Sequence, residues 1–376
     1  MKIMFTGGGT GGHFYPIIAV VEALNELVKE KKILQPQLYF MAPSPYNERA
    51  LFDNGVEFIA VPAGKMRRYF SILNFTDVFK TIYGCLWALV KVYSIYPDVI
   101  FGKGGYASFP TLLAAKILNI PVVIHESDSK PGKVNSWAGK FAKKIALSYP
   151  DAIKYFNHKD RVAYTGNPIR KEIIQPLQNG AREFLDLEEA TPTVLILGGS
   201  QGSQNINDVV VSALPELLKN YQIIHQTGKN NLDEIKSTAT VVLKDHPFFY
   251  RYHPFDYLND LALRMSAGVA DVVVSRAGST IFEIAAWGLP SIIIPLPSSI
   301  SHDQTDNAFA YERTGASSII EENNLSPHIL IEEIDHIVKS KEITAIMKEK
   351  AKAFARLDSA KVVARGILDL ALEHEK

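Results

Sequence analysis

The chain has 376 residues, 47% of them apolar, with 40 basic side chains balanced by 40 acidic ones. That length accommodates two α/β domains with separate cores, and the neutral balance gives no reason to expect nucleic acid as a partner. A single cysteine, Cys85, excludes an intramolecular disulfide framework and fits a reducing compartment. The N-terminus enters a strand with no secretory signal before it, and the longest apolar stretch, Thr81 to Tyr96, is interrupted by Lys91. It is expected to be too short to span a bilayer, so composition reads as a soluble intracellular protein.

The first predicted strand, Lys2–Thr6, ends in the glycine cluster GGGTGG and His13. A helix follows, carried by the stripe Ile17, Val20, Val21, Leu24, Leu27 and Val28. Further strands are predicted at Gln37–Met41, Val56–Val61, Asp98–Phe101, Pro121–His125, Lys144–Leu147 and Arg161–Thr165. Short apolar strands alternating with amphipathic helices imply a parallel sheet covered on both faces. A linker is expected between Gly166 and Pro192, where GNPIR gives way to a Gln- and Glu-rich stretch. A second alternation follows at Thr193–Leu197, Gln222–Gln226, Phe248–Tyr252, Asp271–Ser275, Ser291–Pro295 and Ser317–Ile320, and from Ser326 the chain reads as helical and charged.

Ligands of such sheets bind at strand C-termini, so the loops there carry the functional argument. GGGTGGH, GKGGYAS (Gly102–Ser108) and GGSQGS (Gly198–Ser203) each join a strand to a helix through several glycines. Glycines let backbone N–H groups approach an oxyanion, and the helix N-terminus favours negative charge, so a phosphate or diphosphate is the expected ligand. No Gly-Lys-Ser/Thr closes these loops, and Phe40 and Met41 supply no strand-end acid for a dinucleotide ribose. His13 stands at the mouth of the first loop with a side chain suited to proton transfer. The segment from His125 to Asn135 concentrates His125, Glu126, Asp128 and Asn135 after another strand. In the second half, SRAGSTIFE places Gly278 and Ser279 at a helix start and Glu283 one turn inside, where a carboxylate suits vicinal ribose hydroxyls or simply complements the helix dipole. SHDQTDNA (Ser301–Ala308) adds amides and carboxylates able to read sugar hydroxyls or to cap a helix.

Taken in order, GGTGGH, GKGGYAS, HE…PG…N, GNPIR, GGSQGS, SRAG…E and HDQTDNA resemble the motifs of the MurG family. These are peripheral-membrane glycosyltransferases that add N-acetylglucosamine to a lipid-linked muramyl pentapeptide. The resemblance runs from Met1 to about residue 360. It implies a GT-B α/β fold, two Rossmann-like doubly wound domains across a cleft: 1–166 for the lipid diphosphate and the membrane, 167–358 for the UDP-sugar. A C-terminal helix, 359–376, is expected to pack back toward the first domain. By the same resemblance Gly9, Thr10, Gly104, Gly105 and Tyr106 hold the acceptor diphosphate, and Thr10, Gly11 and Gly12 lie near the donor sugar. His13 is the favoured general base, with Glu126 or Asp128 as runner-up. Arg170, Gly199, Ser200 and Gln201 belong to the nucleotide diphosphate, Phe255 to uracil, Gly278, Ser279 and Glu283 to the ribose side, and Gln304 to the sugar hydroxyls. Asp128 stands where many members have asparagine, which exchanges an amide contact to the sugar for a carboxylate one.

The implied reaction is an inverting displacement by the muramyl C4 hydroxyl with UDP departing. It needs a base and stabilisation of charge on the diphosphate, and it calls for no metal or cofactor. The expected partners are UDP-N-acetylglucosamine, an undecaprenyl-diphosphate-linked muramyl peptide and the anionic inner-membrane surface. Membrane contact is expected at the basic and aromatic run Lys65–Phe75, with Tyr83 and Trp87 expected to be buried. Another UDP-sugar transferase acting on a lipid, a UDP-sugar epimerase and a non-catalytic nucleotide-sugar scaffold are the rival readings.

Overall fold

In the computed structural model, which describes residues 1–64, 73–199, 202–297 and 302–374, two sheets account for the strands. The first contains β1 (Lys2–Thr6), β2 (Gln37–Ala42), β3 (Val56–Ala60), β4 (Val99–Gly102), β5 (Val122–Glu126), β6 (Lys144–Leu147) and β7 (Val162–Tyr164). They are ordered β3-β2-β1-β4-β5-β6-β7 and all pair in parallel. The second contains β8 (Thr193–Leu197), β9 (Gln222–Gln226), β10 (Tyr252–Phe255), β11 (Val272–Ser275), β12 (Ser291–Ile293) and β13 (Ser317–Ile319). Its order is β10-β9-β8-β11-β12-β13, again parallel throughout.

Parallel strands joined by helical crossovers are buried on both faces, which is why β4, β8 and β11 read as nearly unbroken apolar runs; they, and β5 and β9 with their polar residues, are buried at every residue. Each fully buried Val, Leu or Ile contributes about 1.5–3 kcal/mol. The strand expected at Phe248–Tyr252 instead begins at Tyr252: Phe249–Arg251 forms a 3₁₀ turn, and the Arg251 guanidinium stacks 4.1 Å from the Phe248 ring centre while its Nε bonds Glu188. The aromatic run there serves side-chain packing, and pairing with β9 starts only where Tyr252 meets Ile223.

The chain divides into two compact units, Met1–Arg170 with Arg356–Lys376, and Lys171–Ala355. Short helices at Lys171–Ile174 and Ala181–Phe184 occupy the segment expected as a linker. Helix Ser359–His374 belongs to the first unit, where Val363, Ala364, Ile367 and Leu368 join the core formed by helix Gly11–Glu30. Its first residue is fastened beside the end of β7: the Gly166 carbonyl accepts from Ser359 Oγ at 2.8 Å and lies 3.0 Å from His125 Nε2.

Helix Leu73–Ile95 overturns two expectations. Residues Phe75–Ile95 are long and apolar enough to cross a membrane by length and composition, and only 17% of that stretch is buried. Tyr83 and Trp87 are 58% and 38% exposed rather than buried. The reason is the narrow inner face: Gly84, Ala88 and Val92, at helical spacing, settle against the sheet and helix Phe109–Ile117. Phe75, Phe79, Ile82, Leu86, Val90 and Tyr93 are left on the outside. The basic part of the expected patch, Lys65 to Arg68, lies outside the described residues.

Candidate active site: two loop edges at the sheet switch points

Both sheets reverse direction of growth beside their first strand, between β1 and β4 and between β8 and β11. At such a point the two flanking crossovers leave on opposite faces and open a crevice above the strand C-termini. The glycine loops end at these two places.

In the first unit, β1 delivers Gly7 to Thr10 and β4 delivers Lys103 to Gly105. Lys103 N donates to the Thr6 carbonyl at 2.9 Å, which holds the two loops side by side. Gly104 and Gly105 have φ of +89° and +77°. A Cβ on Gly104 would stand 2.6 Å from Asn135 Nδ2, and one on Gly105 would stand 3.4 Å from His13 Nε2. Gly104 therefore has no room for a side chain beside Asn135, and Gly105 lies against His13 at a positive φ that favours glycine. Gly9 is similarly close to the Tyr106 ring, 3.0 Å from its Cε1. Thr10 precedes helix Gly11–Glu30, is exposed and makes no side-chain cap bond, so the first-turn N–H groups of Gly11 and Gly12 border an uncapped helix start. The Arg170 guanidinium sits 4.1 Å from the centre of the Tyr15 ring, on that same first turn.

The polar segment after β5 is organised by Glu126. One of its oxygens accepts from Asp128 N at 2.9 Å; the other accepts from Gly132 N and from Asn135 Nδ2, both at 3.0 Å. Asn135 Nδ2 also reaches the His125 carbonyl at 3.0 Å. Burial, reinforced by the neighbouring Asp128 charge, raises the Glu126 carboxyl well above the usual range against these bonds. Burial also lowers His13 to about 4, helped by the charge of Lys103, so the ring is neutral at physiological pH. Both His13 Nδ1 and His125 Nδ1 are covered without a hydrogen-bond partner.

In the second unit, β8 leads through Gly198 and Gly199 to Gly202, Ser203 and helix Gln204–Asn220. Ser200 and Gln201, the expected diphosphate contacts of this loop, lie outside the described residues. Gly202 has φ +74°, and a Cβ there would fall 2.0 Å from the Thr227 carbonyl oxygen, which already accepts from Asn207 and Asn231. Gln226 ties the loop from beneath, donating to the Gly199 carbonyl at 3.0 Å and accepting from Leu258 N at 3.1 Å. At the end of β10 the Phe255 carbonyl accepts from Thr227 N and Oγ1 at 2.9 and 3.1 Å.

After β11, Arg276 fastens three loops together. Its guanidinium donates to Ser203 Oγ in the β8 loop, to the Ile294 and Pro295 carbonyls after β12, and to Glu322, an ion pair with both partners largely buried. Gly278 and Ser279 then open helix Thr280–Trp287, and the Cβ positions of Gly199 and Gly278 meet nothing within 4 Å. Glu283 is half-buried in the first turns of that helix. Gln304 accepts from Leu296 N at 3.2 Å through its Oε1, which places it over the segment following β12. The side chains of His302 and Asp303 lie outside the described residues.

Sequence reading found the loops and missed several groups that hold them. Gln226, Arg276 and Lys103 each sit at a strand C-terminus inside or beside a motif, and a polar residue there in an otherwise apolar strand is the available signal.

Two parallel α/β sheets of this strand order, with glycine loops at both switch points, make up the GT-B fold. The glycosyltransferase family 28 N-terminal domain matches residues 3–147, and the family 28 C-terminal domain matches residues 193–363. A relative from Bacillus cereus is 35% identical over 355 residues, 93% of this chain and 96% of its own. It is named UDP-N-acetylglucosamine–N-acetylmuramyl-(pentapeptide) pyrophosphoryl-undecaprenol N-acetylglucosamine transferase 2. The chain belongs to that family of transferases, the MurG family. Among solved structures, MurG of Acinetobacter baumannii aligns with a TM-score of 0.72 at 23% identity, covering 98% of this chain and 99% of that one. A putative UDP-N-acetylglucosamine 2-epimerase from Listeria monocytogenes also gives 0.72, at 14% identity, covering 99% and 97%. Equal scores for two different enzymes confirm the fold and leave the reaction to the sequence relatives and the site.

Proposed function

We infer that this protein transfers N-acetylglucosamine from UDP-N-acetylglucosamine to a lipid-linked N-acetylmuramyl pentapeptide, a step of peptidoglycan synthesis. The observation that carries the reading is the likeness to the named Bacillus cereus transferase along nearly the whole of both chains.

The residues divide the chemistry. The loops of the first unit take the acceptor: Gly9, Thr10, Gly104, Gly105 and Tyr106 hold its diphosphate, and His13 removes the proton from the attacking C4 hydroxyl. Glu126 has both oxygens occupied by N–H groups of its own loop, so it acts as a clamp, leaving Asp128 as the runner-up base and as a carboxylate contact to the sugar. A neutral His13 is in the right state to accept a proton, though a weak base while free. An anionic diphosphate beside it opposes the effect of burial and raises its basicity once the acceptor is bound. The second unit takes the donor: the loop around Gly199 and Gly202 receives the diphosphate, the Phe255 region the base, Glu283 the ribose and Gln304 the sugar. Preorganised N–H dipoles and Arg170 stabilise charge on the departing UDP. Thr10, Gly11 and Gly12 lie toward the transferred sugar, and displacement from the opposite face inverts C1.

The lipid acceptor requires a membrane surface, and helix Leu73–Ile95 supplies one. Its outward stripe of Phe75, Phe79, Ile82, Leu86, Val90 and Tyr93 is accompanied by Lys80 and by Lys91, whose ammonium lies 5.1 Å from the Trp87 ring centre. An apolar face of this length beside lysines suits a helix lying in an anionic interface. This face supports peripheral attachment at the cytoplasmic side of the cell membrane. A Phe79→Asp/Leu86→Asp pair is expected to abolish co-sedimentation with anionic vesicles; unchanged binding would reject this face.

The test of the reaction is UDP release from UDP-N-acetylglucosamine with and without lipid-linked muramyl pentapeptide. Release only with the acceptor is expected. Binding without turnover would favour a scaffold, and conversion of the sugar nucleotide without acceptor would favour an epimerase.

A further inference from the structure

Lys103 occupies an improbable place for a lysine. It follows β4 directly, is 0% exposed, and its Nζ has no hydrogen-bond partner. Its stem is fixed: the backbone N–H bonds Thr6, and its Cβ would stand 2.9 Å from a Cβ added at Gly7. An ammonium taken wholly out of water costs several kcal/mol, and attraction to a neighbouring carboxylate repays that only in part. A methionine or leucine would fill the same volume without the cost. The carboxylates acting on it are Glu126 and Asp128, and the first of these is spent on three loop N–H bonds rather than on the ammonium.

The titratable and charged groups around this point come from every loop packed there. They are His13 from the helix after β1, with Tyr15 on the same turn and Arg170, from the segment after β7, stacked on Tyr15; Lys103 and Tyr106 from the β4 loop; and His125, Glu126 and Asp128 from β5 and its loop. Lys103 acts on His13 and on His125 with the same sign, disfavouring a proton on either ring. It is also the residue immediately before Gly104 and Gly105, the pair pressed against Asn135 and His13. Its ammonium is buried among the groups that flank that loop, interacting with His13, His125, Glu126 and Asp128.

We propose that Lys103 is a positioning residue of the transfer reaction, whose buried, unpartnered ammonium acts on His13 through space and supplies positive potential near the diphosphate loop without touching either substrate. The proposal rests on the assignment of His13 and of the Gly104–Gly105 loop to the acceptor.

Three variants separate charge from packing: Lys103→Met and Lys103→Gln remove the charge, and Lys103→Arg retains it. The imidazole ¹⁵N resonances of His13 are followed against pH in the full chain, without substrate, beside thermal melts. Loss of the charge is expected to move the His13 titration upward by about one pH unit; the arginine variant is expected to keep the wild-type value. With both substrates, the methionine and glutamine variants are expected to lose roughly tenfold in kcat and to raise KM for the lipid acceptor. KM for UDP-N-acetylglucosamine should change less than twofold.

A His13 titration that stays at the wild-type pH in Lys103→Met or Lys103→Gln would overturn the proposal. So would an equal shift in all three variants, which would mark a packing effect. The imidazole readout needs no turnover, so an inactive wild type would reject the transferase reading while leaving the link between Lys103 and His13 open to measurement by the same spectra.

Discussion

The two sheets share one strand order about their switch points and differ in what they keep there. Above β1 and β4 the first unit gathers His13, Lys103, His125 and Glu126, all ionisable and all pressed out of water. Above β8 and β11 the second unit offers glycines, an amide brace through Gln226 and an Arg276 whose charge is answered by Glu322. Its buried histidine, His225, lies lower in the strand between Asn207 Oδ1 and Tyr252 OH, at 3.0 and 2.9 Å, and is lowered by burial to about 3. Under the proposed assignment, one strand order serves proton transfer in the first unit and nucleotide binding in the second.

The sharpest way to break that contrast is His13→Ala. Turnover should fall by about 10²–10⁴-fold, the usual span for a general base, with UDP affinity unchanged by calorimetry. A loss of UDP binding would move His13 to the donor side. Next in size is Gly202→Ala, which meets both a positive φ and the Thr227 carbonyl. It should lower stability by about 2–4 kcal/mol in denaturant titration, whereas alanine at Gly278, which has open space and no positive φ, should leave stability nearly unchanged. Glu283→Gln should weaken UDP binding by about 1.5–3 kcal/mol, the range for hydrogen bonds to charged groups, while kcat at saturating donor is retained.

The smallest effect is a pH slope. His13 and His225 have folded pKa values of about 4 and about 3, below the unfolded value of about 6.5. Between those limits the unfolded chain binds more protons than the native one, so stability rises with pH in that window. It is fully present above about 6.5 and is lost as pH falls, His13 ceasing to contribute below about 4. Glu126, raised by burial, acts in the opposite sense, its share declining as pH climbs above the ordinary glutamate range. Melting temperature against pH for His225→Gln should show a shallower acid slope than wild type.

Much of this was legible in the chain. Short apolar runs mark buried parallel strands, so β6 and β8 stand at the expected bounds, as do β1 and β9 despite their polar residues. The glycine loops were legible because close backbone approach demands glycine at several successive positions. β10 was displaced because Phe248–Tyr252 is aromatic for packing with Arg251 rather than for pairing. The outer face of helix Leu73–Ile95 was misjudged because an apolar stripe at helical spacing has the same pattern whether it meets a core or a membrane. Lys103 and Arg276 escaped notice as organisers because their place at the end of an apolar strand marks them only as candidates; the strand order is what brings their partners to them.

The division between the two units is tested most directly by hydrogen exchange of the full chain with and without UDP. The account predicts slowed exchange at Gly199, Gly202 and Gly278–Glu283, and no change at Gly9–His13 or Gly104–Tyr106. Protection by UDP at the His13 loop with none around Gly278 would contradict it.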